Sequence, residues 1–90
     1  MKALVTGARG TVGSVLAERL ASAGWQVEAW NRQAAPPGDT EATRALIRRV
    51  APTAVFHAAL PSQPTGMDNE GWIVNEKWTA DIAAAARERL

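Results

Sequence analysis

The chain contains no cysteine, which excludes a disulfide framework, a thiolate metal site and a cysteine nucleophile. It has a single histidine, so a multi-histidine centre is excluded as well and no metal is expected. Charge of one sign is scarce: 10 Lys and Arg against 9 Asp and Glu leave a net +1. That balance gives no general electrostatic reason to expect nucleic acid or a membrane surface as partner. No segment approaches the roughly 18 uninterrupted apolar residues of a membrane span, and the N-terminus lacks the basic, apolar, small-residue order of a signal peptide. The expected compartment is the cytoplasm.

What is present suits one globular unit: 47% of the 90 residues are hydrophobic and 21% charged, enough apolar material to fold and too little charge to stay disordered. A chain of this length buries only about 60–65% of the surface it exposes when unfolded. Packing alone must hold it together.

Ala3-Leu4-Val5-Thr6 is a short apolar run that stops at Gly7, as in a strand buried on both faces. Gly7, Gly10 and Gly13 follow at intervals of three, after which Val12, Val15, Leu16, Ala17 and Leu20 predict a helix closed by Gly24. Gln26-Val27-Glu28-Ala29-Trp30 alternates as a second strand. Strand, glycine turn, helix and strand make a βαβ unit, in which parallel strands require the crossover helix.

Gln33 to Gly38, with Pro36 and Pro37, reads as a loop, and Asp39 stands where a side chain would cap the next helix. Ala42, Ala45, Leu46 and Val50 predict the buried face of that helix, with Arg44, Arg48 and Arg49 facing solvent. Pro52 ends it, and Ala54-Val55-Phe56-His57-Ala58 supplies a third strand. Leu60 to Gly71 reads as a long loop, and Val74, Trp78, Ile82 and Ala86 step along a last helix running into Arg89 and Leu90. There is no internal repeat.

The chemistry lies in Thr6-Gly7-Ala8-Arg9-Gly10-Thr11-Val12-Gly13. Unpaired N–H groups and the dipole at a helix N-terminus favour a pyrophosphate, and side chains would obstruct its approach. Gly7 permits the sharp turn, Gly10 the close contact and Gly13 the tight packing of helix on strand. Glycine spacing alone does not identify a nucleotide site; the strand before it and the helix after it supply the context. Where an NAD site carries an acidic residue at the end of the second strand, this chain has Asn31 followed by Arg32. A carboxylate repels a 2′-phosphate, whereas an amide beside a guanidinium accepts it, and Arg9 is placed in the same turn to add a second cation. These residues argue for NADP over NAD.

The turn, together with Pro52-Thr53-Ala54-Val55-Phe56-His57-Ala58-Ala59 and with Val74-Asn75 in the last helix, resembles the extended short-chain dehydrogenase/reductases. Within them the branch is that of the dTDP-4-dehydrorhamnose reductases and the NAD-dependent nucleotide-sugar epimerases and dehydratases. The resemblance covers nearly the whole chain. It implies a Rossmann-like α/β fold, a parallel sheet with flanking helices, of which residues 1–90 form the N-terminal half, about three strands and three helices, with no substrate domain. It further implies that Ala58, Ala59 and Leu60 line the cofactor, that Thr11 and Val12 belong to the phosphate turn, and that Asn75 supports the catalytic residues. His57 takes a structural or cofactor-lining role rather than that of a general acid or base. The four tryptophans are expected to pack rather than form a stacking platform, with Trp72 beside the long loop where it could line a pocket, and Asp68, Asn69 and Glu70 read as solvated loop, with substrate contact as the alternative.

Two departures from the family pattern stand out. Pro36 and Pro37 fall where the family has a short strand ending in an aspartate that reads adenine, so that strand is expected to be lost or frayed. The family's Ser/Thr and Tyr-x-x-x-Lys catalytic residues are missing, and the chain has no tyrosine at all. The expected function is therefore the NADP-binding part of an oxidoreductase acting on sugar nucleotides. The alternatives are a non-enzymatic dinucleotide-binding or sensing module, or a truncated product inactive alone. The uncovered sheet edge of half a domain predicts a homo-oligomer.

Overall fold

The computed structural model describes residues 1–59 and 69–89. Its elements run β1 (Lys2–Thr6), α1 (Thr11–Ser22), β2 (Gln26–Ala29), α2 (Thr40–Val50), β3 (Ala54–His57) and α3 (Asn69–Arg89). The three strands are all parallel, in the order β2-β1-β3. Strand β1 is thus central, pairing Leu4 with both Glu28 and Val55 and Thr6 with His57. Its residues Ala3 to Thr6 are fully buried, which is why this segment is nearly continuous in apolar residues rather than alternating.

Alternation along the strands separates the two faces. Leu4 joins Leu46, Ile47, Val50, Trp78, Ile82 and Ala85 in the core that α2 and α3 close over the sheet. Ala3 and Val5 point to the opposite face, with Phe56, whose ring meets Trp25 edge to face at 5.9 Å. Helix α1 packs on β1 and β2 and contributes nothing to the larger core. The expected apolar stripe of α1 is only half used: Leu16 and Leu20 are half-buried, but Val12 is 65% and Val15 52% exposed. The sheet touches α1 from one side only, and nothing among the described residues covers the other.

The helix ends follow local chemistry. Asp39 accepts a hydrogen bond from the Ala42 N–H at 3.1 Å and caps α2, as its position predicts. Gly24 takes φ +91 just after α1, the left-handed turn that glycine supplies at no steric cost. Ala51 closes α2 in the same region at φ +51, just before Pro52. No strand forms between β2 and α2; residues 31–39 are irregular, with turns at 32–34 and 37–38.

Helix rotation departs from the sequence pattern. Thr43 and Ile47 are buried in α2 while Ala45 is exposed, and Arg44 is half-buried, its guanidinium 2.6 Å from Glu88 on α3. The α2 stripe is turned toward α3, where Ile47 buries more apolar surface than Ala45 could. In α3 the stripe is Trp78, Ile82 and Ala85, with Val74 exposed and Ala86 half-buried. Stepping by four advances about 40° too far each time, and a step of three brings the face back. Helix α3 also starts earlier than expected, at Asn69, and includes Gly71. Strands β2 and β3 each stop one residue short of the expected limit, at Ala29 and His57.

Candidate functional site

Because the strands are parallel, the segments that leave β1, β2 and β3 emerge at one edge of the sheet, and the chain departs from β1 toward opposite sides. This is the crevice in which open α/β sheets bind ligands. The first segment is the glycine turn. Gly7 sits at φ +65, and a Cβ there would lie 2.8 Å from the Ala59 Cα and 2.9 Å from its nitrogen. Gly13 is tighter still: its Cβ would meet the Gly7 carbonyl oxygen at 1.8 Å. Gly13 therefore packs the helix start onto the turn itself. Gly10 is different. Its N–H donates to the Gly7 carbonyl at 2.9 Å, its φ is −77, and a Cβ would meet nothing closer than that carbonyl at 3.3 Å. A Cβ at position 10 would thus press on one backbone atom, where positions 7 and 13 would each meet three.

The helix that follows is left open. Gly10 offers no capping side chain and the first turn of α1 carries no acidic residue, whereas α2 has the Asp39 cap and Glu41 in its first turn. The first intrahelical bond runs from the Ser14 N–H to the Gly10 carbonyl at 2.9 Å. The N–H groups of Thr11, Val12 and Gly13 precede it and have no intrahelical acceptor. Arg9 is exposed on the same turn.

The end of β3 forms a wall against Gly7. The Ala59 N–H donates to the Thr6 hydroxyl at 3.1 Å, and that hydroxyl, fully buried, lies 2.6 Å from His57 Nδ1. The Thr79 hydroxyl spends its proton on the Asn75 carbonyl and so accepts from Nε2, which in the neutral ring leaves Nδ1 to accept from the Thr6 hydroxyl. Nε2 donates to the Thr79 hydroxyl at 3.0 Å, which donates to the Asn75 carbonyl at 2.8 Å. This chain of hydrogen bonds ties β1, β3 and α3 together around a neutral histidine.

Burial pushes the His57 pKa below its ordinary value of 6.5 by disfavouring the charged ring. The unfolded chain takes up a proton at the ordinary value and the folded chain only below it. Stability is therefore full above that value and lost as pH falls through it. The melting temperature is expected to decline as the pH falls below about 6.5, ahead of carboxylate titration. Because the chain has one histidine, His57→Asn should remove that slope; an unchanged slope in a pH series of thermal melts would refute the assignment.

The segment after β2 is anchored by Trp30. Its backbone N–H extends the pairing to the Val5 carbonyl at 2.9 Å, and its indole N–H donates to the Ala35 carbonyl at 2.9 Å. Between these anchors the Asn31 Oδ1 accepts from the N–H groups of Gln33 at 2.9 Å and Ala34 at 3.2 Å, an Asx turn. With its oxygen so engaged, what Asn31 offers a ligand is its amide donors. Arg32 is exposed, and its guanidinium carbon lies 5.4 Å from the ring centroid of Trp78.

The structure thus brings Gly7, Gly10, Gly13, Ala58 and Ala59 together and sets Asn31 and Arg32 at the same sheet edge. Asn75 joins through its backbone carbonyl. Leu60 and Asp68 lie outside the described residues, as do the side chains of Asn69, Glu70 and Trp72. Sequence reasoning missed Thr6 and Thr79, which hold His57. The available signal was their register: Thr6 is the last β1 residue, and Thr79 is one helical turn beyond Asn75. Among the described residues there is no group of three or more His, Cys, Asp or Glu that could hold a metal, and no helix long and apolar enough to cross a membrane.

A parallel sheet with the glycine turn on its central strand and an open helix N-terminus beyond it defines a Rossmann-like fold of the dinucleotide-binding type. The family described as RmlD substrate binding domain matches residues 1–89, and the chain belongs to that family. Among solved structures it is similar to a dTDP-4-dehydrorhamnose reductase from Bacillus anthracis in complex with NADP, with a TM-score of 0.78 and 17% identity, covering 94% of this chain and 31% of that one. It is similar to a GDP-6-OMe-4-keto-L-xylo-heptose reductase from C. jejuni, with a TM-score of 0.81 and 20% identity over 98% of this chain and 26% of the other. A putative epimerase from Burkholderia cenocepacia shares 32% identity at a TM-score of 0.72, covering 93% of this chain and 32% of the epimerase. The chain thus spans about a third or less of these structures. No curated protein matches it.

Proposed function

We propose that residues 1–90 form part of a dinucleotide-binding domain, taking NADP(H) in preference to NAD(H), within a reductase acting on sugar nucleotides. The observation that carries this is the contrast between the two helix starts: α2 is finished with the Asp39 carboxylate, whereas α1 begins at a glycine with no capping side chain and no acidic residue in its first turn. An anionic diphosphate fits there for both electrostatic and steric reasons. Under this reading Gly7, Gly10 and Gly13, with the N–H groups of Thr11 and Val12, hold the diphosphate. Asn31, Arg32 and Arg9 take the 2′-phosphate, and Ala58, Ala59 and Leu60 line the route toward the nicotinamide.

A bound nicotinamide would supply hydride to a sugar carbonyl. The chain has no tyrosine, so a tyrosine proton donor would come from outside these 90 residues, as would the groups that hold the sugar. The solved relatives support this reading, since those named above include a reductase in complex with NADP and a reductase of a GDP-linked keto sugar. Self-association through the exposed apolar side of α1 belongs to the same proposal.

The test is titration with NADPH, followed by quenching of tryptophan fluorescence. Saturable binding is expected; none would overturn the reading. Gly10→Ala should lower the melting temperature far less than Gly13→Ala does, since the new methyl group meets a single atom, the Gly7 carbonyl oxygen at 3.3 Å, which must yield by a few tenths of an ångström. It should weaken NADPH binding about tenfold or more by intruding on the diphosphate. Unchanged affinity in that variant would show that the diphosphate lies elsewhere.

A further inference from the structure

Trp78 is an unusual core residue. It is 2% exposed, yet its indole nitrogen is buried without a hydrogen-bond partner among the described residues. If filling space were its only task, a phenylalanine or leucine would do so without burying an unpaired N–H group. The ring is held on two sides. His57 meets it edge to face at 4.7 Å and 77°, and Trp30 at 5.6 Å and 74°. Both neighbours are themselves fixed, His57 by Thr6 and Thr79 and Trp30 by its bond to the Ala35 carbonyl. The indole therefore cannot turn away.

Arg32 approaches that ring, its guanidinium carbon 5.4 Å from the centroid. This is within cation–π range, and an indole is the strongest partner among the aromatic side chains. Arg32 is otherwise a long, solvent-exposed side chain at the end of a strand, and fixing it on a ligand phosphate costs rotamer entropy. A rigid aromatic platform reduces that cost before the ligand arrives.

We propose that Trp78 is a positioning residue for Arg32 and, through it, a determinant of selectivity for 2′-phosphorylated over unphosphorylated dinucleotides. The proposal rests on the reading of Arg32 given above. Trp78 need not touch the cofactor. It holds the guanidinium near the end of β2, so its contribution depends on the presence of both Arg32 and the 2′-phosphate.

Calorimetric titration of wild type, Trp78→Leu, Arg32→Ala and the double variant with NADPH and NADH tests this. Trp78→Leu is expected to lower the NADPH preference about two- to fivefold, with NADH affinity little changed, and to lower it no further in the Arg32→Ala background. A purely structural role would weaken both ligands alike, and that result overturns the proposal. If Arg32→Ala removes the preference while Trp78→Leu retains it in full, the positioning role is refuted and the reading of Arg32 stands. If wild type shows no preference, or Arg32→Ala keeps it, the reading of Arg32 fails and the proposal falls with it. Should Trp78→Leu not fold, Trp78→Phe retains a ring of weaker quadrupole in the same core; it should show a smaller loss of preference, and a preference equal to or above wild type overturns the proposal.

Discussion

Gly13→Ala is expected to lower the melting temperature by more than about 10 °C or to abolish cooperative melting. The added methyl carbon would lie 1.8 Å from the Gly7 oxygen, 2.5 Å from the Gly7 carbonyl carbon and 3.1 Å from the Ala8 nitrogen, all of them backbone atoms. The turn has nowhere to retreat. Gly7 is pressed against Ala58 and Ala59, whose own position is fixed by the bond from the Ala59 N–H to Thr6. Overpacking that side chains can absorb already costs about 1–3 kcal/mol, and here only backbone can yield. In a domain of this size each kcal/mol shifts the midpoint by about 4–8 °C. Gly24→Ala serves as the control: its φ of +91 makes alanine strained, but a Cβ there meets nothing within 4 Å. That change should cost about 1 kcal/mol. Circular dichroism melts of the two variants separate a steric clash from a conformational penalty. A Gly13→Ala melt within a few degrees of wild type would contradict the packing described for the turn.

Arg32→Asp is expected to reverse dinucleotide preference. Wild type should bind NADPH more tightly than NADH; the variant should prefer NADH. The change removes a charge-assisted bond to the 2′-phosphate and sets a carboxylate against it, while giving the ribose hydroxyls the acceptor that NAD sites use. Together these are expected to move the ratio of dissociation constants by about 100-fold or more, some 3 kcal/mol. The fold should survive, because Arg32 is exposed and its ring neighbour Trp78 is buried by other residues. A ratio that stays at the wild-type value would show that the end of β2 does not read the ribose. Repeating the titration at raised salt adds a check, since loss of the phosphate contact should flatten the salt dependence of NADPH binding.

Local features of the chain were legible from its residues. The strand, glycine turn and helix at the N-terminus, the Asp39 cap, the Gly24 terminator and the Gln33 to Gly38 loop with its two prolines all appear where the sequence places them. Each depends on backbone preferences and hydrogen bonds within a few positions along the chain. The glycines show the limit of such reading. Their spacing announced the turn, but only the tertiary structure distinguishes Gly13, where a Cβ would overlap the Gly7 backbone at 1.8 Å, from Gly10, where it would press on the Gly7 carbonyl oxygen alone at 3.3 Å.

Rotation of the helices was the least legible feature. Apolar periodicity marked Ala45 and Ala86 for the core, yet Thr43, Ile47 and Ala85 are buried instead. A face about 100° wide admits several neighbouring positions, and the partner helix decides among them.

The sequence by itself determined the order of elements, their parallel pairing through a crossover helix, and the open, uncapped helix start after the glycine turn, because these follow from φ preferences, periodicity and local donors. Only the tertiary structure decided that Thr6 and Thr79 hold His57 in its neutral form and that Trp78 lies beneath Arg32. Those contacts join segments far apart in the chain. No residue's own propensity encodes them; they exist because parallel pairing aligns the ends of β1, β2 and β3 at one edge and α3 packs across them.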